Sequence, residues 1–579
     1  MQKSIRRPIL NTFLSLLSTL LPFHSGNAQS TTYSLTGASQ IPKYETRAVW
    51  ITTLNGLDWP RTQATSPATR RRQQEELCRQ LDSLQAANFN TILLQVRSRD
   101  NALYPSKEEV FTDVLTGTPG QSPGYDPLEF AIRECHKRGM ELHAWVVAIP
   151  LGSDKQARKL GSRSFVRKHP EMCLRFRNNW YLDPGHPQTK EHLADIVREI
   201  VSRYDVDGIN LDYIRYPDRP KGFPDQRSFR KYGKGKSLDQ WRRDNITAIV
   251  RRVYETVKAV KPWVKVGSSP IGKHEDVARY SSRGWNARRV AFQDAQQWVK
   301  EGIQDLMLPM AYFREDNFYP FVLDWQENAN GRTVVPGLGV YFLDPSEGNW
   351  ELQDVLQQIY FTRCARVPGQ AYFRSRFLLD DVQGLFTTLK NEIYTRPALI
   401  PPMTWMDSVP PSSPTGLHTE IQADSLILIW NPATDNSTPK DASSTMRYNL
   451  YAAKEKDIDI NDPHNLQRAY IHGTRYALPL RDAEGLHFAV TAVDCYGNES
   501  PMPNPLHTPP LRPENPQHSA ELPECPKATR LTVTDLYGRT VWQAPYSRQL
   551  KMARFAPGVY YIHLQDKEGH TLVRIRFIR

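Results

Sequence analysis

Short β-rich segments alternate with longer helical stretches from residue 44 to residue 395, and this alternation constrains the fold more than any other feature of the sequence. The strand candidates are Ala48–Thr53, Thr91–Val96, Glu141–Val147, Gly208–Leu211, Val264–Ser268, Leu306–Met310, Val334–Gly339 and Ala371–Phe373. The stretches with helical spacing of apolar residues are Glu75–Ala87, Leu128–Arg138, Lys190–Tyr204, Leu238–Val260, Phe292–Lys300 and Leu352–Arg363. Strands joined through helices pair in parallel. About eight such units in roughly 350 residues predict an α/β fold, a (β/α)8 TIM barrel with enlarged loops.

An open, doubly wound parallel sheet is the alternative arrangement for the same alternation. It is disfavoured because no Gly-rich phosphate-binding turn follows the first strand. Other motifs are missing as well: the sequence has no HExxH, no paired-cysteine metal motif and no GxSxG nucleophile elbow. We therefore predict neither a bound metal nor a cofactor, and the chain is not expected to be a serine hydrolase.

The charge balance is positive, with 74 Lys and Arg against 62 Asp and Glu, which gives a formal net charge of +12. Such a balance suits an anionic partner. However, the basic residues are scattered and form no run of five or more, so nucleic acid is not an expected partner. Aromatic residues make up 10% of the chain, with 13 Trp and 26 Tyr. Because sugar rings stack on aromatic side chains, this content fits a glycan-binding protein, although aromatics also fill cores.

Residues 1–28 have the pattern of a secretory signal peptide. A basic start with Lys3, Arg6 and Arg7 precedes an apolar segment, and a small-residue cleavage site follows at Gly26–Ala28. This segment is too short to span a membrane comfortably, and the rest of the sequence has no long apolar run. We therefore expect an exported protein that is periplasmic, on the cell surface or secreted.

Two Pro-rich stretches divide the rest of the chain. The barrel is predicted over 44–395, followed by a linker over 396–413. Alternating apolar residues over 414–502 predict a small β-sandwich. A second linker is predicted over 503–526, and a β-rich C-terminal domain over 527–579.

Catalytic groups of parallel barrels lie at the carboxyl ends of the strands. Asp212 ends the fourth predicted strand, which would place its carboxylate in the mouth of the barrel; capping a helix or pairing with Arg215 are the alternatives. Arg97 and Asp100 follow the second strand, and a surface ion pair is the alternative for them.

Further candidates come from the other strand ends. His143 and Trp145 share one face of the third strand, where a buried core His is the alternative to a substrate ligand. Trp50 near the end of the first strand, with Tyr312 and Tyr341 after the sixth and seventh, are candidates for a sugar-stacking surface or for core packing.

Several blocks in the same order resemble the glycosyl hydrolase-like 10 family over about residues 44–390. The blocks are Glu45–Thr53, Gln95–Arg97, Leu142–Trp145, Leu182–Gly185, Tyr204–Ile209, Trp241–Ile246, Ser269–Gly272 and Pro309–Tyr312. The resemblance implies an exported bacterial glycoside hydrolase on a barrel, and one branch of the family acts on peptidoglycan glycan strands that lack stem peptides. The family often has two consecutive Asp where this chain has Asp212-Tyr213, and His where it has Asn210.

The C-terminal region resembles two further families. Residues 414–501 are similar to a fibronectin type III domain, on the strength of Trp430 and the segment Phe488–Asp494 with its turn at 497–500. The last fifty or so residues are similar to a type IX secretion C-terminal sorting domain, through the segments Asp535–Arg539 and Pro557–Tyr561. The second resemblance implies the type IX secretion machinery as a partner.

The leading hypothesis is hydrolysis of a glycosidic bond in a polysaccharide, with peptidoglycan as one such substrate. Asp212 and Asp100 are the predicted carboxylate pair. The predicted substrate-binding residues are Trp50, Arg97, His143, Trp145, Asn210, Tyr312 and Tyr341. The competing hypothesis is a non-catalytic glycan-binding or cell-envelope scaffold protein on a degenerate barrel.

Overall fold

The computed structural model describes residues 41–218, 220–435, 446–503, 505–507, 519–551, 555 and 558–578. The chain divides into two compact units, Met1–Met406 and Asp407–Arg579. The predicted signal peptide lies outside the described residues. In the part of the chain that is described, no helix has both the length and the apolar character that crossing a membrane requires.

The first unit alternates strands and helices. Its strands are β1 (Thr46–Ile51), β2 (Thr91–Arg99), β3 (Asn101–Ala102), β4 (Glu141–Val147), β5 (Pro150–Ser153), β6 (Cys173–Phe176), β7 (Asn179–Leu182), β8 (Gly208–Asp212), β9 (Lys265–Ser268), β10 (Leu306–Met307), β11 (Thr333–Val334), β12 (Gly337–Leu338) and β13 (Gly369–Tyr372). Its helices are α1 (Pro67–Ala86), α2 (Pro127–His136), α3 (Asp154–Leu160), α4 (Phe165–Lys168), α5 (Pro187–Arg203), α6 (Gln226–Tyr232), α7 (Leu238–Val260), α8 (Ala287–Val290), α9 (Ala295–Lys300), α10 (Tyr319–Glu327), α11 (Leu352–Cys364), α12 (Ser375–Leu379) and α13 (Leu385–Thr388).

A large parallel sheet organises this unit, in the order β11-β10-β9-β8-β4-β2-β1-β13-β12. Each neighbouring pair in that order is parallel, and β3 adds an antiparallel contact to β2. The predicted parallel sheet with helical connections is therefore confirmed. The sequence did not predict the separate antiparallel sheet β5-β7-β6, which is inserted after β4.

Side chains alternate between the two faces of the sheet, as the pleat requires. The inward-facing residues that form one apolar cluster include Ala48, Trp50, Leu93, Trp145, Leu306 and Val335. The alternate residues, such as Val49 and Ile92, pack into the larger core beneath the helices. Thus one face of the sheet carries its own apolar cluster, and the helices cover the other face.

Local signals fix the beginnings of the helices. The Ser66 hydroxyl accepts from Thr69 N, and the Thr69 hydroxyl accepts from Ser66 N, so a capping box starts α1 with Pro67 in its first turn. In the same way the Ser237 hydroxyl accepts from Gln240 N at the start of α7.

Residues 396–406, which follow the last helices of the first unit, are packed against it, although a linker was predicted over 396–413. We call residues 396–406 the floor segment, because they cover the amino ends of the strands. Glu45 N donates to Leu399 O over 2.8 Å, and Trp405 Nε1 donates to Asp305 Oδ1 over 3.0 Å. Ile400 and Met403 are buried. The prolines were misleading, since an extended segment that contains proline can still bury its apolar side chains.

The second unit is built of antiparallel sheets. Its strands are β14 (Thr415–Gln422), β15 (Ser425–Asn431), β16 (Arg447–Ala453), β17 (Leu466–His472), β18 (Arg475–Pro479), β19 (His487–Val493), β20 (Leu506–His507), β21 (Ser519–Glu521), β22 (Arg530–Asp535), β23 (Thr540–Pro545), β24 (Gln549–Lys551), β25 (Val559–Gln565) and β26 (Thr571–Ile578). The sheets β14-β15-β18 and β17-β16-β19-β20 share a core that contains Trp430 and Tyr448. The sheet β23-β22-β25-β26 has a core of its own.

Candidate active site

Asp212 is the last residue of β8, at the carboxyl end of the parallel sheet. Its carboxylate is buried and held from two sides: Trp145 Nε1 donates to Oδ2 over 3.0 Å, and Tyr213 N donates to Oδ1 over 2.6 Å. Because Trp145 lies on the neighbouring strand β4, the sheet itself positions the donor. The carboxylate therefore has a fixed orientation.

Burial raises the pKa of Asp212 to about 6. The Arg215 guanidinium and the two hydrogen bonds oppose this shift, because they favour the ionised carboxylate. Arg215 is itself buried, lies over the Tyr213 ring at 4.7 Å and pairs with Asp218. A carboxyl group with such a pKa can hold or release a proton near neutral pH, as a general acid or base must.

An aromatic cluster lies at the same end of the sheet, and Phe373 is its centre. The ring centroid of Phe373 is 6.0 Å from Trp50, 6.3 Å from Trp145, 5.4 Å from Tyr312 and 5.9 Å from Tyr341. Tyr312 and Tyr341 are in edge contact at 5.8 Å. The structure thus brings together the predicted stacking residues. Trp50 of β1 and Trp145 of β4 belong to the cluster, and Phe373 directly follows β13.

Tyr213 connects Asp212 to this cluster. Its backbone has a φ of +47°, in the left-handed region that a residue with a bulky side chain rarely adopts. The ring is 44% exposed. Burial raises the pKa of Tyr312, and the nearby Asp212, Tyr341 and Tyr213 raise it further. Tyr213 therefore offers an exposed ring directly beside the buried carboxylate.

Two predicted ligands face the interior but lie too deep for a substrate. Asn210 is fully buried beneath Asp212, and its Oδ1 accepts from the Ser269 hydroxyl over 3.1 Å. His143 lies opposite Gly208, the first residue of β8, and contacts Glu141 at 2.9 Å. This places His143 near the floor segment, where it lines a small cavity with Trp405. The prediction that Asn210 and His143 bind substrate is corrected accordingly.

The predicted pair after β2 is also committed to structure. Arg97 is fully buried, pairs with Glu109 at 2.6 Å and donates to the carbonyl of Ala148. The Asp100 carboxylate accepts from the Phe165 amide over 2.7 Å and from the Ser164 hydroxyl over 3.0 Å, which are the contacts of a helix cap at α4. We therefore assign Arg97 to an internal ion pair, and Asp100 to the start of α4 in place of the predicted catalytic pair.

Comparison with known families places this site in context. The model of the family described as glycosyl hydrolase-like 10 matches residues 45–340, which are more than half of the chain. The chain belongs to the glycosyl hydrolase-like 10 family. The matched region contains Asp212, Tyr213 and Tyr312, whereas Tyr341 and Phe373 come after it. In this member of the glycosyl hydrolase-like 10 family, residues beyond the matched region thus complete the aromatic cluster.

Relatives within the curated proteins are glycosyl hydrolases by name. Glycosyl hydrolase YngK of Bacillus subtilis is 30% identical over 476 residues, which are 79% of this chain and 89% of the relative. Glycosyl hydrolase DigH of Escherichia coli K12 is 33% identical over 334 residues, which are 54% of this chain and 76% of the relative. Among solved structures, α-L-fucosidase isoenzyme 2 from Paenibacillus thiaminolyticus matches 61% of this chain with 49% of its own, at 14% identity and a TM-score of 0.41.

Sequence reasoning did not single out Tyr213 or Phe373 as site residues, and it considered Arg215 only as an ion-pair partner that would give Asp212 a structural role. Phe373 ends a predicted strand and was available from the same strand-end rule that found Trp50. Among the described residues, the side chains spaced so that they could share a metal ion are Asp566, Glu568 and His570, in a turn of the second unit. The site around Asp212 contains this carboxyl group and the aromatic rings described above.

Proposed function

We propose that the protein hydrolyses a glycosidic bond of a polysaccharide, with Asp212 as the proton donor and the aromatic cluster and Tyr213 as the sugar-binding surface. The observation that carries the proposal is the position of Asp212, a buried carboxyl group at the carboxyl end of β8 that Trp145 holds beside exposed and half-buried rings. Burial raises its pKa to about 6, which suits a proton donor. Family membership supports the same reaction class. Sugar rings present apolar faces that stack on aromatic side chains, which suits Tyr213 and Tyr341.

Glycoside cleavage requires a proton on the leaving oxygen as its bond to the anomeric carbon breaks. Protonated Asp212 would supply that proton and would recover one from the water that completes the hydrolysis. The reaction also needs a group that stabilises or attacks the anomeric carbon, which is a second carboxylate or, in substrate-assisted enzymes, the acetamido group of the sugar. We do not assign this role to Asp100, because it is buried and its Oδ2 accepts from Phe165 N and the Ser164 hydroxyl at the start of α4.

Barrel closure, export and the roles of the C-terminal domains are also part of this proposal. Closure of the sheet into a (β/α)8 barrel is supported by the segment 333–338, because β11 pairs with β10 while β12 pairs with β13. Export, the fibronectin type III relationship and the type IX sorting role rest on the sequence patterns alone. Peptidoglycan strands without stem peptides are the first substrate to test, since the family resemblance implies them.

The test compares wild type with Asp212→Asn, and uses Asp205→Asn as the matched control. Asp205 precedes the amino end of β8, and its side chain is 59% exposed. Reducing ends released from peptide-free peptidoglycan strands, chitin and mannan are measured. We expect Asp212→Asn to lose about 10²-fold or more of the activity, and Asp205→Asn to retain it.

The pH dependence gives an independent reading of the role of Asp212. A proton donor with a pKa of about 6 loses activity as the pH rises through that value. Wild-type turnover by Asp212→Asn would remove Asp212 from the mechanism. Glycan binding without any released product would favour the competing hypothesis of a non-catalytic glycan-binding protein.

A further inference from the structure

Trp285 stands out among the described tryptophans because its side chain is exposed, at 40%. It belongs to the loop 269–286 that follows β9, so it lies on the carboxyl-end side of the sheet. Single exposed apolar residues are common on protein surfaces and need no explanation. The surroundings of Trp285 are what make it informative.

Trp285 is connected to the aromatic cluster through two consecutive residues. Its ring contacts Phe313 edge-to-face, with centroids 5.8 Å apart and planes at 72°. Tyr312, the residue before Phe313, stacks on Phe373 inside the aromatic cluster. One short stretch of chain therefore carries a ring of the proposed sugar-binding surface and the ring that supports Trp285.

The support beneath Trp285 is rigid. Lys273 places its ammonium over the Phe313 ring at 4.6 Å, and Asn317 accepts from that ammonium over 2.7 Å. Asn286, directly after Trp285, is buried; its Nδ2 donates to the Ser282 hydroxyl and its Oδ1 accepts from Arg289 N. An exposed ring on a fixed backbone loses little conformational freedom when it binds, which favours a binding role.

We propose that Trp285 forms a second sugar-binding position, which stacks on a ring of the glycan chain beyond the bond held at Asp212. This inference rests on the proposed function and deepens it, because it makes the substrate a chain of several sugars. Tyr213 and Trp285 would then contact different sugars of the same chain, with Tyr312 and Phe313 between them.

Kinetics on substrates of different length test this inference. Trp285→Ala, Trp285→Phe and wild type are assayed on peptide-free peptidoglycan strands, chitin and mannan fragments that are separated by length. We expect the KM of Trp285→Ala for long chains to rise about tenfold, with a smaller rise for short chains that do not reach the second position. The expected change lies in KM more than in kcat, and Trp285→Phe is expected to restore much of the loss.

A binding assay separates this inference from the proposed function. Retention on immobilised long chains of the same three glycans is measured in an Asp212→Asn background, with and without Trp285→Ala. Tyr537→Ala is the control, since Tyr537 is 81% exposed in the second unit. Thermal unfolding of each variant confirms that it is folded.

The outcomes are distinct. Weaker retention caused by Trp285→Ala supports the inference. If the wild type at the same time releases no product, only the proposed function is overturned. Cleavage and retention that Trp285→Ala leaves unchanged would overturn the inference alone. If the wild type retains none of these glycans and cleaves none, both proposals are overturned.

Discussion

Replacing Asp212 by Asn should stabilise the folded protein while it removes activity. The pKa of Asp212 is about 6 in the folded chain and 3.8 for an unperturbed carboxyl group. A difference of about two pKa units corresponds to about 3 kcal/mol of unfolding free energy. Because the folded-state value is the higher one, wild-type stability from this group is complete below the unfolded pKa and is lost as the pH rises toward 6. The neutral amide of Asn does not suffer this loss.

One effect of the substitution opposes the stabilisation by Asp212→Asn. The Asn side chain has a single acceptor oxygen, so it can accept from Trp145 Nε1 or from Tyr213 N but not from both. The lost hydrogen bond costs about 1 kcal/mol, at every pH. We therefore expect Asp212→Asn to be about 2 kcal/mol more stable than wild type near pH 7.5, and slightly less stable near pH 4.

Urea unfolding of the two proteins across this pH range measures the difference, with tryptophan fluorescence as the signal. Asp205→Asn serves as the control, because its carboxylate is exposed. The stability difference between the two proteins should change by somewhat more than about 2 kcal/mol from about pH 4 to about pH 7.5, and this change does not depend on the cost of the lost hydrogen bond. A stability difference that stays constant from acid to neutral pH would refute the assignment of Asp212 as a buried, easily protonated group.

Three further predictions follow from individual contacts. Trp145→Phe removes a hydrogen bond to ionised Asp212, which raises the pKa of that group. The pH at which kcat/KM falls should therefore rise by about half a unit or more, and an unchanged pH profile would argue against Asp212 as the proton donor. Arg97→Met leaves Glu109 buried without its partner and should lower the unfolding free energy by about 3–5 kcal/mol, with the KM of the folded variant unchanged; a selective rise in KM would return Arg97 to the substrate-binding residues. A chain that ends before the floor segment should be about 5 kcal/mol less stable in thermal unfolding than one that ends after it, and equal stability would show that the segment is a linker after all.

The sequence predicted the face of the sheet on which a side chain lies better than its distance from the carboxyl end of the sheet. His143 and Trp145 are on the same face of β4, as their spacing indicates, but two residues along a strand are about 6.6 Å. That distance separates an indole that reaches Asp212 from a histidine near the floor segment. Depth depends on where neighbouring strands begin, and their register cannot be read from one segment.

Arg97 shows a second limit of predicting side-chain direction from the alternation along a strand. The pairing of β2 with β4 shifts between Gln95 and Arg97. Such an irregularity changes the direction of the following side chain, and here Arg97 meets Glu109 in the interior of the protein. By contrast, Asp212 was found because it ends a regular apolar strand. The left-handed backbone of Tyr213 had no signal in the sequence, since residues of this size seldom adopt it.

The packed interior of the parallel sheet also determines how a long polymer can reach the site. Trp50, Leu93 and Trp145 fill the space between the strands, and the floor segment covers the opposite end. If the substrate is a glycan, as proposed above, it could not thread through the sheet. It would lie across the carboxyl ends of the strands, with both of its ends in solvent, and the packed side chains would set no limit on its length.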